Sequence, residues 1–259
     1  MLKTAEISYS VGKKQILDNV SAEFHPGQFN MILGPNGSGK STFLKIFSGE
    51  ISAFQGSVWY NGLDLNNIKK EELAKWRAVM SQQPELSFPL TVEEVVMMGR
   101  YPHFTFNPTK KDHRICDEVI GRLNLEIFRY RNYLTLSGGE KQRVQYARVL
   151  AQIWETEAAH PRYLFLDEPL TSLDINYQQE FLQIAREFAT TGTVLIAVMH
   201  DINLAAHYGD KLFFLKNGRL EAQGKPAEVL SSQLVETVFG VKTTITRNPV
   251  TQAPMLVFH

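Results

Sequence analysis

Gly34-Pro35-Asn36-Gly37-Ser38-Gly39-Lys40-Ser41-Thr42 is the stretch whose reading decides the rest of this chain. It fits G-x-x-x-x-G-K-[ST], a loop that cradles phosphate, with no position out of place. Glycine lets backbone N–H groups turn inward where a side chain would block an oxyanion. Lys40 is placed to reach the β- and γ-phosphates of a nucleotide, and the Ser41 hydroxyl to hold Mg²⁺. The flanks agree with the motif. Phe29-Asn30-Met31-Ile32-Leu33 reads as a short buried strand, and Thr42-Phe43-Leu44-Lys45-Ile46-Phe47 reads as helix. The helix N-terminus then points at the phosphates and adds its dipole to the attraction. A glycine-rich turn with an accidental lysine is the competing reading, and the strand–loop–helix order argues against it. The expectation is a protein that binds a nucleoside triphosphate.

The totals narrow the class. A chain of 259 residues can bury a core as one large α/β domain or two small ones. Lys plus Arg equals Asp plus Glu at 27 each, so no global basic field exists to hold nucleic acid or an anionic membrane. The single cysteine, Cys116, allows no intramolecular disulfide and points to a reduced cytosolic setting. The first residues, Met1 to Glu6, lack the apolar core of a signal peptide. Apolar runs such as Val194 to Met199 are strand-sized, so a membrane role is expected to come through a partner.

Outward from the phosphate loop, Ile7 to Val11 and Val20 to Phe24 alternate as strands, and Gly56 to Gly62 reads as a strand closed by an Asn-Gly turn. A short helix from about Glu71 to Arg77 and a strand at Ala78 to Ser81 follow. Thr91-Val92-Glu93-Glu94 is a capping box that opens a helix ending at Gly99. A second helix is predicted over Lys110 to Asn124, with Ile115, Val119, Ile120 and Leu123 at helical spacing. Tyr163 to Leu166 is a buried strand ending in Asp167-Glu168, and Thr193 to Met199 another, ending at His200. Leu212 to Leu215, Asn217-Gly218 and Arg219 to Ala222 make a hairpin, a helix starts at Pro226, and the tail reads as irregular. Without a linker or repeat, the helical block from 90 to 160 is an insertion rather than a separate domain.

Asp167-Glu168 stands at the carboxyl end of an apolar strand, where ligands of parallel sheets gather. Asp167 is placed to hold Mg²⁺, and Glu168 to orient or deprotonate the water that attacks the γ-phosphate. Alone, the pair could simply cap the next helix. Beside a phosphate loop, the catalytic reading is preferred. Leu136-Ser137-Gly138-Gly139-Glu140 supplies a second feature: Ser137 as N-cap, bare glycine backbone, and a long helix to about Trp154. A bare helix N-terminus is an anion site, but a merely well-capped helix fits the residues equally.

The order of these motifs resembles the ATP-binding cassette (ABC) transporter ATPases, along essentially the whole chain. That resemblance implies an α/β P-loop NTPase fold with a RecA-like parallel-sheet core, an N-terminal antiparallel β subdomain and an inserted α-helical subdomain. Residues 1–259 would be a single nucleotide-binding domain, with 1–89 and 161–259 as the α/β core and β subdomain and 90–160 as the helical subdomain. It also implies roles. Tyr9 resembles the aromatic that stacks on adenine, although aromatics favour strands anyway. Gln82, beside a second glutamine at 83, resembles the residue that touches Mg²⁺ and the attacking water. His200 resembles the switch histidine on the γ-phosphate. Ser172-Leu173-Asp174 resembles the loop lining the dimer interface, with Leu170 and Thr171 departing from the commoner Thr-Ser. Ser137, Gly138, Gly139 and Glu140 would bind ATP held by a second copy, so ATP closes a homodimer and hydrolysis reopens it.

A single cassette without a membrane span resembles the separate ATPase subunits of bacterial importers. The segment Ser87 to His103, together with Ala147 to Trp154, the polar spacer Glu155 to Pro161 and His200 to Ala206, is similar to the heme-importing members of the iron-siderophore, vitamin B12 and heme group. This implies a permease dimer as partner, indirectly a periplasmic heme-binding protein, and a peripheral place on the cytoplasmic face of the bacterial inner membrane. It also implies that the stretch from Gln82 to His103 docks the permease. A ferric siderophore or vitamin B12 is the alternative cargo. A soluble, non-transport ABC ATPase on nucleic acid is the remote alternative, opposed by one signature, no heptad insertion and zero net charge. A regulatory module without turnover is opposed by Glu168 and His200. His103, beside Pro102, is read as a surface histidine rather than a heme ligand.

Overall fold

The computed structural model describes residues 1–53, 55–81, 86–155 and 161–259, which form two compact units: Met1–Asn67 with Leu182–His259, and Ile68–Phe181. In the first unit, strands β1 (Leu2–Val11) and β2 (Lys14–Phe24) pair antiparallel. Then come the fully buried β3 (Phe29–Leu33), helix α1 (Lys40–Phe47), β4 (Gln55–Tyr60) and the two-residue β5 (Leu63–Asp64). β2, β1, β4 and β5 make an antiparallel sheet in that order. The turn between β4 and β5 has Asn61 and Gly62 both at positive φ (49° and 86°), the twist-matched hairpin turn that Asn-Gly encodes.

The second unit contains α2 (Lys70–Trp76), β6 (Arg77–Met80), α3 (Val92–Met98), α4 (Lys110–Arg122), α5 (Gly138–Gln152), β7 (Tyr163–Asp167) and the start of α6 (Ile175–Thr190). β6 and β7 pair in parallel. The capping box at Thr91 and Glu94 is formed, and Thr109 with Asp112 makes another at the head of α4. Val92, Val95 and Val96 from α3, Ile115, Val119 and Ile120 from α4, and Val144, Ala147 and Leu150 from α5 form the buried apolar faces. At the end of α3 the backbones come very close: a Cβ on Gly99 would lie 2.1 Å from the Arg148 carbonyl oxygen. Arg100 next to it is buried against Asp112 at 3.0 Å and donates to the Ala151 carbonyl at 2.7 Å, tying the ends of three helices together. α5 stops at Gln152 rather than Trp154. Past its end, the half-buried Trp154 indole donates to Glu118 at 2.7 Å.

The chain completes the first unit with β8 (Val194–Val198), α7 (Ile202–Tyr208), β9 (Lys211–Lys216), β10 (Arg219–Gly224), α8 (Pro226–Val229), α9 (Ser232–Phe239), β11 (Thr243–Arg247) and β12 (Pro254–Phe258). β3 lies between β8 and β9, parallel to both, and β10 pairs antiparallel with β9. Phe24, Phe47 and Phe213 meet in the core at ring centroid distances of 5.6 and 4.7 Å, and Phe43 stands edge-on to Phe47. Each such buried ring contributes about 1.5–3 kcal/mol by removal from water. The tail is not irregular: β11 and β12 form a hairpin, and the Asn203 side chain brackets the Leu256 backbone at 2.7 and 3.1 Å. Its β-branched run Thr243-Thr244-Ile245-Thr246 signals a strand, but the exposed residues around it show no clear alternation.

Candidate functional site

In the first unit, β3 delivers the phosphate loop at its carboxyl end. Gly34 sits at φ 155°, and a Cβ there would lie 2.1 Å from the Leu215 carbonyl oxygen and 2.8 Å from Ser38 Oγ. Gly39 sits at φ 100°, with Ile16 and Leu17 under 3 Å from any Cβ. The loop is therefore squeezed between β2 and β9, and only glycine fits at either end. A third tie comes from the β9–β10 turn: Gly218 N–H donates to the Ser38 carbonyl at 3.1 Å and its own carbonyl accepts from Asp18 N–H at 2.9 Å. In the sequence, Asn217-Gly218 signals a hairpin turn only. Nothing in its spacing reveals that it backs a loop so distant in the chain.

This cradle suits an anion. The hydroxyl of Ser38 is buried without a hydrogen-bond partner, an orphaned donor at a position where a phosphate oxygen would satisfy it. Lys40 is buried, and its ammonium donates to the carbonyls of Gly34 (2.9 Å) and Pro35 (3.1 Å), which sets a positive charge on the loop itself. Helix α1 starts there with no side-chain cap and no acidic residue in its first turn, which favours an external anion. Asn36 and Gly37 are exposed at the tip, and Ser41 and Thr42 are half-buried. His200 leaves β8 one strand over, at the same sheet end, because Met199 N–H donates to the Ile32 carbonyl at 3.0 Å. Tyr9, half-buried on β1, pairs across to Leu17, the residue that crowds Gly39.

In the second unit, Asp167 is the buried last residue of β7. Glu168 follows at φ 50°, in a left-handed conformation that costs an L-residue roughly 1–2 kcal/mol and concentrates at functional positions. The Thr171 hydroxyl holds the Glu168 carbonyl at 2.7 Å. Asp174 is exposed, and its carboxylate accepts the Tyr177 N–H at 3.0 Å as the cap of α6. At the head of α5, Ser137 Oγ accepts the Glu140 N–H at 3.3 Å while the Glu140 carboxylate accepts the Ser137 N–H at 2.7 Å. That second bond holds the Glu140 carboxyl below the usual carboxylate range. Ser137 and Gly138 are exposed, so the helix start faces solvent. The hydroxyl of Ser41 and the carboxylate of Asp167 are hard oxygen donors, the type Mg²⁺ takes. Gln82 lies outside the described residues. His103 Nε2 is 2.7 Å from the Gln152 carbonyl oxygen, a bond that joins the segment after α3 to the end of α5.

A sequence profile of the ABC transporter family matches residues 17–171. The chain is 44% identical over 257 residues to the hemin import ATP-binding protein HmuV of Gloeobacter violaceus, covering 99% of this chain and 94% of that one. It is 38% identical to the HmuV of Escherichia coli O157:H7, covering 99% of both. Among solved structures, a dimeric bacterial ABC transporter cassette, MJ0796, superposes with a TM-score of 0.74 at 29% identity, over 87% of this chain and 98% of that one. The same cassette is also known in a post-hydrolysis dimer bound to ADP and Pi, with a TM-score of 0.73 and the same identity and coverage.

Proposed function

This chain belongs to the ABC transporter family, and on that premise we propose that it is the ATP-hydrolysing subunit of a heme importer, working as a homodimer beneath a membrane permease. Gly34 to Thr42 hold ATP from one side, with Lys40 on the β- and γ-phosphates and Tyr9 against adenine. Ser137, Gly138, Gly139 and Glu140 of a second copy close the other side. Ser41, Asp167 and Gln82 would hold Mg²⁺, which would supply positive charge against the phosphates. Glu168 orients the attacking water and accepts its proton, and His200 donates to the γ-phosphate. Asp174 lines the interface between copies. Two ATP molecules thus bias an open–closed equilibrium of the dimer, and that motion drives the permease.

The observation that carries this reading is the pair of helix starts suited to an anion: α1 behind the buried, partnerless Ser38 hydroxyl, and α5 behind the exposed Ser137. The full-length likeness to HmuV proteins supports heme as cargo. Among the described residues no helix is long and apolar enough to cross a membrane, which fits a subunit held peripherally, on the cytoplasmic face of the inner membrane. The permease docks on the stretch from Gln82 to His103, where Phe88 and Tyr101 are exposed. A periplasmic heme-binding protein delivers cargo to the far side. The chain itself does not ligate heme through His103, whose ring is engaged with Gln152. Proteoliposomes carrying this subunit and its permease should take up hemin only with ATP. Uptake of a ferric siderophore or vitamin B12 with no uptake of hemin would reject the cargo assignment.

A further inference from the structure

Gln142 stands in the second turn of α5, one turn after the Ser137 cap. Both ends of its side-chain amide are committed to the loop that follows Glu168. Nε2 donates to the Pro169 carbonyl, and Oε1 accepts the Ser172 N–H at 3.2 Å. A primary amide can donate and accept at once, which a carboxylate or an ammonium cannot. From the other side Gln178 of α6 donates to the Leu173 carbonyl at 3.0 Å, and Leu173 N–H closes on the Leu170 carbonyl at 3.2 Å. The loop also packs directly under Gly138 and Gly139. A Cβ on Gly139 would lie 3.2 Å from the Ser172 carbonyl oxygen, and one on Gly138 3.7 Å from Ser172 Cβ.

Glu168 is the residue in this loop with the least favourable backbone, at φ 50°. Such a conformation persists only where the surroundings over-determine it. The hold on Pro169, covalently next to Glu168, is one of those restraints, and it comes from the helix whose N-terminus carries Ser137 and Gly138. We propose that Gln142 is a positioning residue for hydrolysis, setting the Glu168 carboxylate according to how α5 is seated. α5 is a single helix, so a ligand that shifts its N-terminus shifts Gln142 and Pro169 with it. The consequence is coupling within one chain: nucleotide engaged by Ser137 to Gly139 tunes the Glu168 of the same chain. This rests on the reading of Glu168 as the hydrolytic base.

The test uses Gln142→Met, which keeps the length of the side chain and removes both hydrogen bonds, with Gln142→Ala beside it. Steady-state ATP hydrolysis should show kcat lowered about tenfold to a hundredfold, the scale of a small misplacement of a reacting group, with KM for ATP within about twofold. ATP-dependent dimerisation, measured in the Glu168→Gln background, should persist in Gln142→Met. A residue that merely holds the fold together would instead lower dimerisation and kcat together, and that result overturns the proposal. So does a Gln142→Met protein with wild-type kcat when Glu168→Gln alone is inactive. If Glu168→Gln itself hydrolyses ATP at the wild-type rate, the reading of Glu168 fails first and this inference falls with it.

Discussion

The carbonyl oxygen of Leu215 occupies the space that a side chain on Gly34 would need, 2.1 Å from the ideal Cβ position. β9 therefore forms the back wall of the phosphate loop, and neither backbone can retreat without breaking the β3–β9 pairing at Leu33 and Phe214. Gly34→Ala is expected to lower stability by at least about 2 kcal/mol and to remove detectable ATP binding. Gly37→Ala faces open space and only the strain of φ 77°, roughly 1–2 kcal/mol, so it should keep partial binding. Thermal unfolding and titration with a fluorescent ATP analogue distinguish the two. Equal behaviour would mean that the back wall does not shape the loop.

Glu168→Gln keeps the shape of the side chain and removes its basicity. Phosphate release should fall by about 10²–10⁴-fold, the usual worth of a positioned general base, while ATP binding is retained. The trapped species should elute as a dimer with ATP and as a monomer without nucleotide. A monomeric variant that hydrolyses normally would remove Glu168 from the mechanism.

Arg100 and Asp112 are both about 2% exposed, so their ion pair is a buried one. Asp112→Asn leaves the Arg100 guanidinium buried without its counter-charge, and a loss of about 3–5 kcal/mol is expected. The pH dependence follows from the carboxyl. Burial pulls its pKa up, but bonds from the Thr109 hydroxyl and N–H and from Arg100 outweigh burial and leave it below the ordinary value. A depressed carboxyl contributes stability above its unfolded pKa of about 3.9, and that contribution is lost as pH falls through the folded value. Glu94 and Glu140, each bonded to the N–H of its capping residue, shift the same way. Unfolding followed from pH 7 into acid should therefore show the wild-type protein converging on Asp112→Asn below about pH 4. A constant gap between the two would contradict this.

Much of this was legible because it is local. The phosphate loop, the Thr91 and Ser137 caps and the Asn-Gly turns are each set by a few neighbouring residues, and each takes the form its residues predict. What the sequence did not reveal depends on distant backbone. The contact of Gly34 with Leu215, of Gly218 with Ser38 and of Gln142 with Pro169 leaves no periodicity to read. The positive φ of Glu168 is invisible for another reason: left-handed backbone is announced by Gly or Asn, and here a glutamate adopts it. The C-terminal hairpin leaves little trace in the sequence because its strands bury little, so their pattern carries weak alternation.

Ser137 separates a structural role from a functional one by magnitude. Its Oγ accepts the Glu140 N–H, and loss of such a cap costs about 1 kcal/mol, or roughly 2–4 °C in melting temperature for a chain of this size. The same hydroxyl carries a proton that leans toward the Glu140 carboxylate and can rotate to an incoming phosphate oxygen, since accepting from an N–H uses a lone pair only. An exposed Ser137 can therefore cap α5 and bond a phosphate oxygen of a second copy's ATP at once. Ser137→Ala in the Glu168→Gln background should melt within a few degrees of its parent yet form no ATP-dependent dimer. Sedimentation with and without ATP reads the second effect and calorimetry the first. If the dimer survives while the melting point drops, Ser137 is only a cap, and the second half of the nucleotide site must be sought elsewhere on the chain.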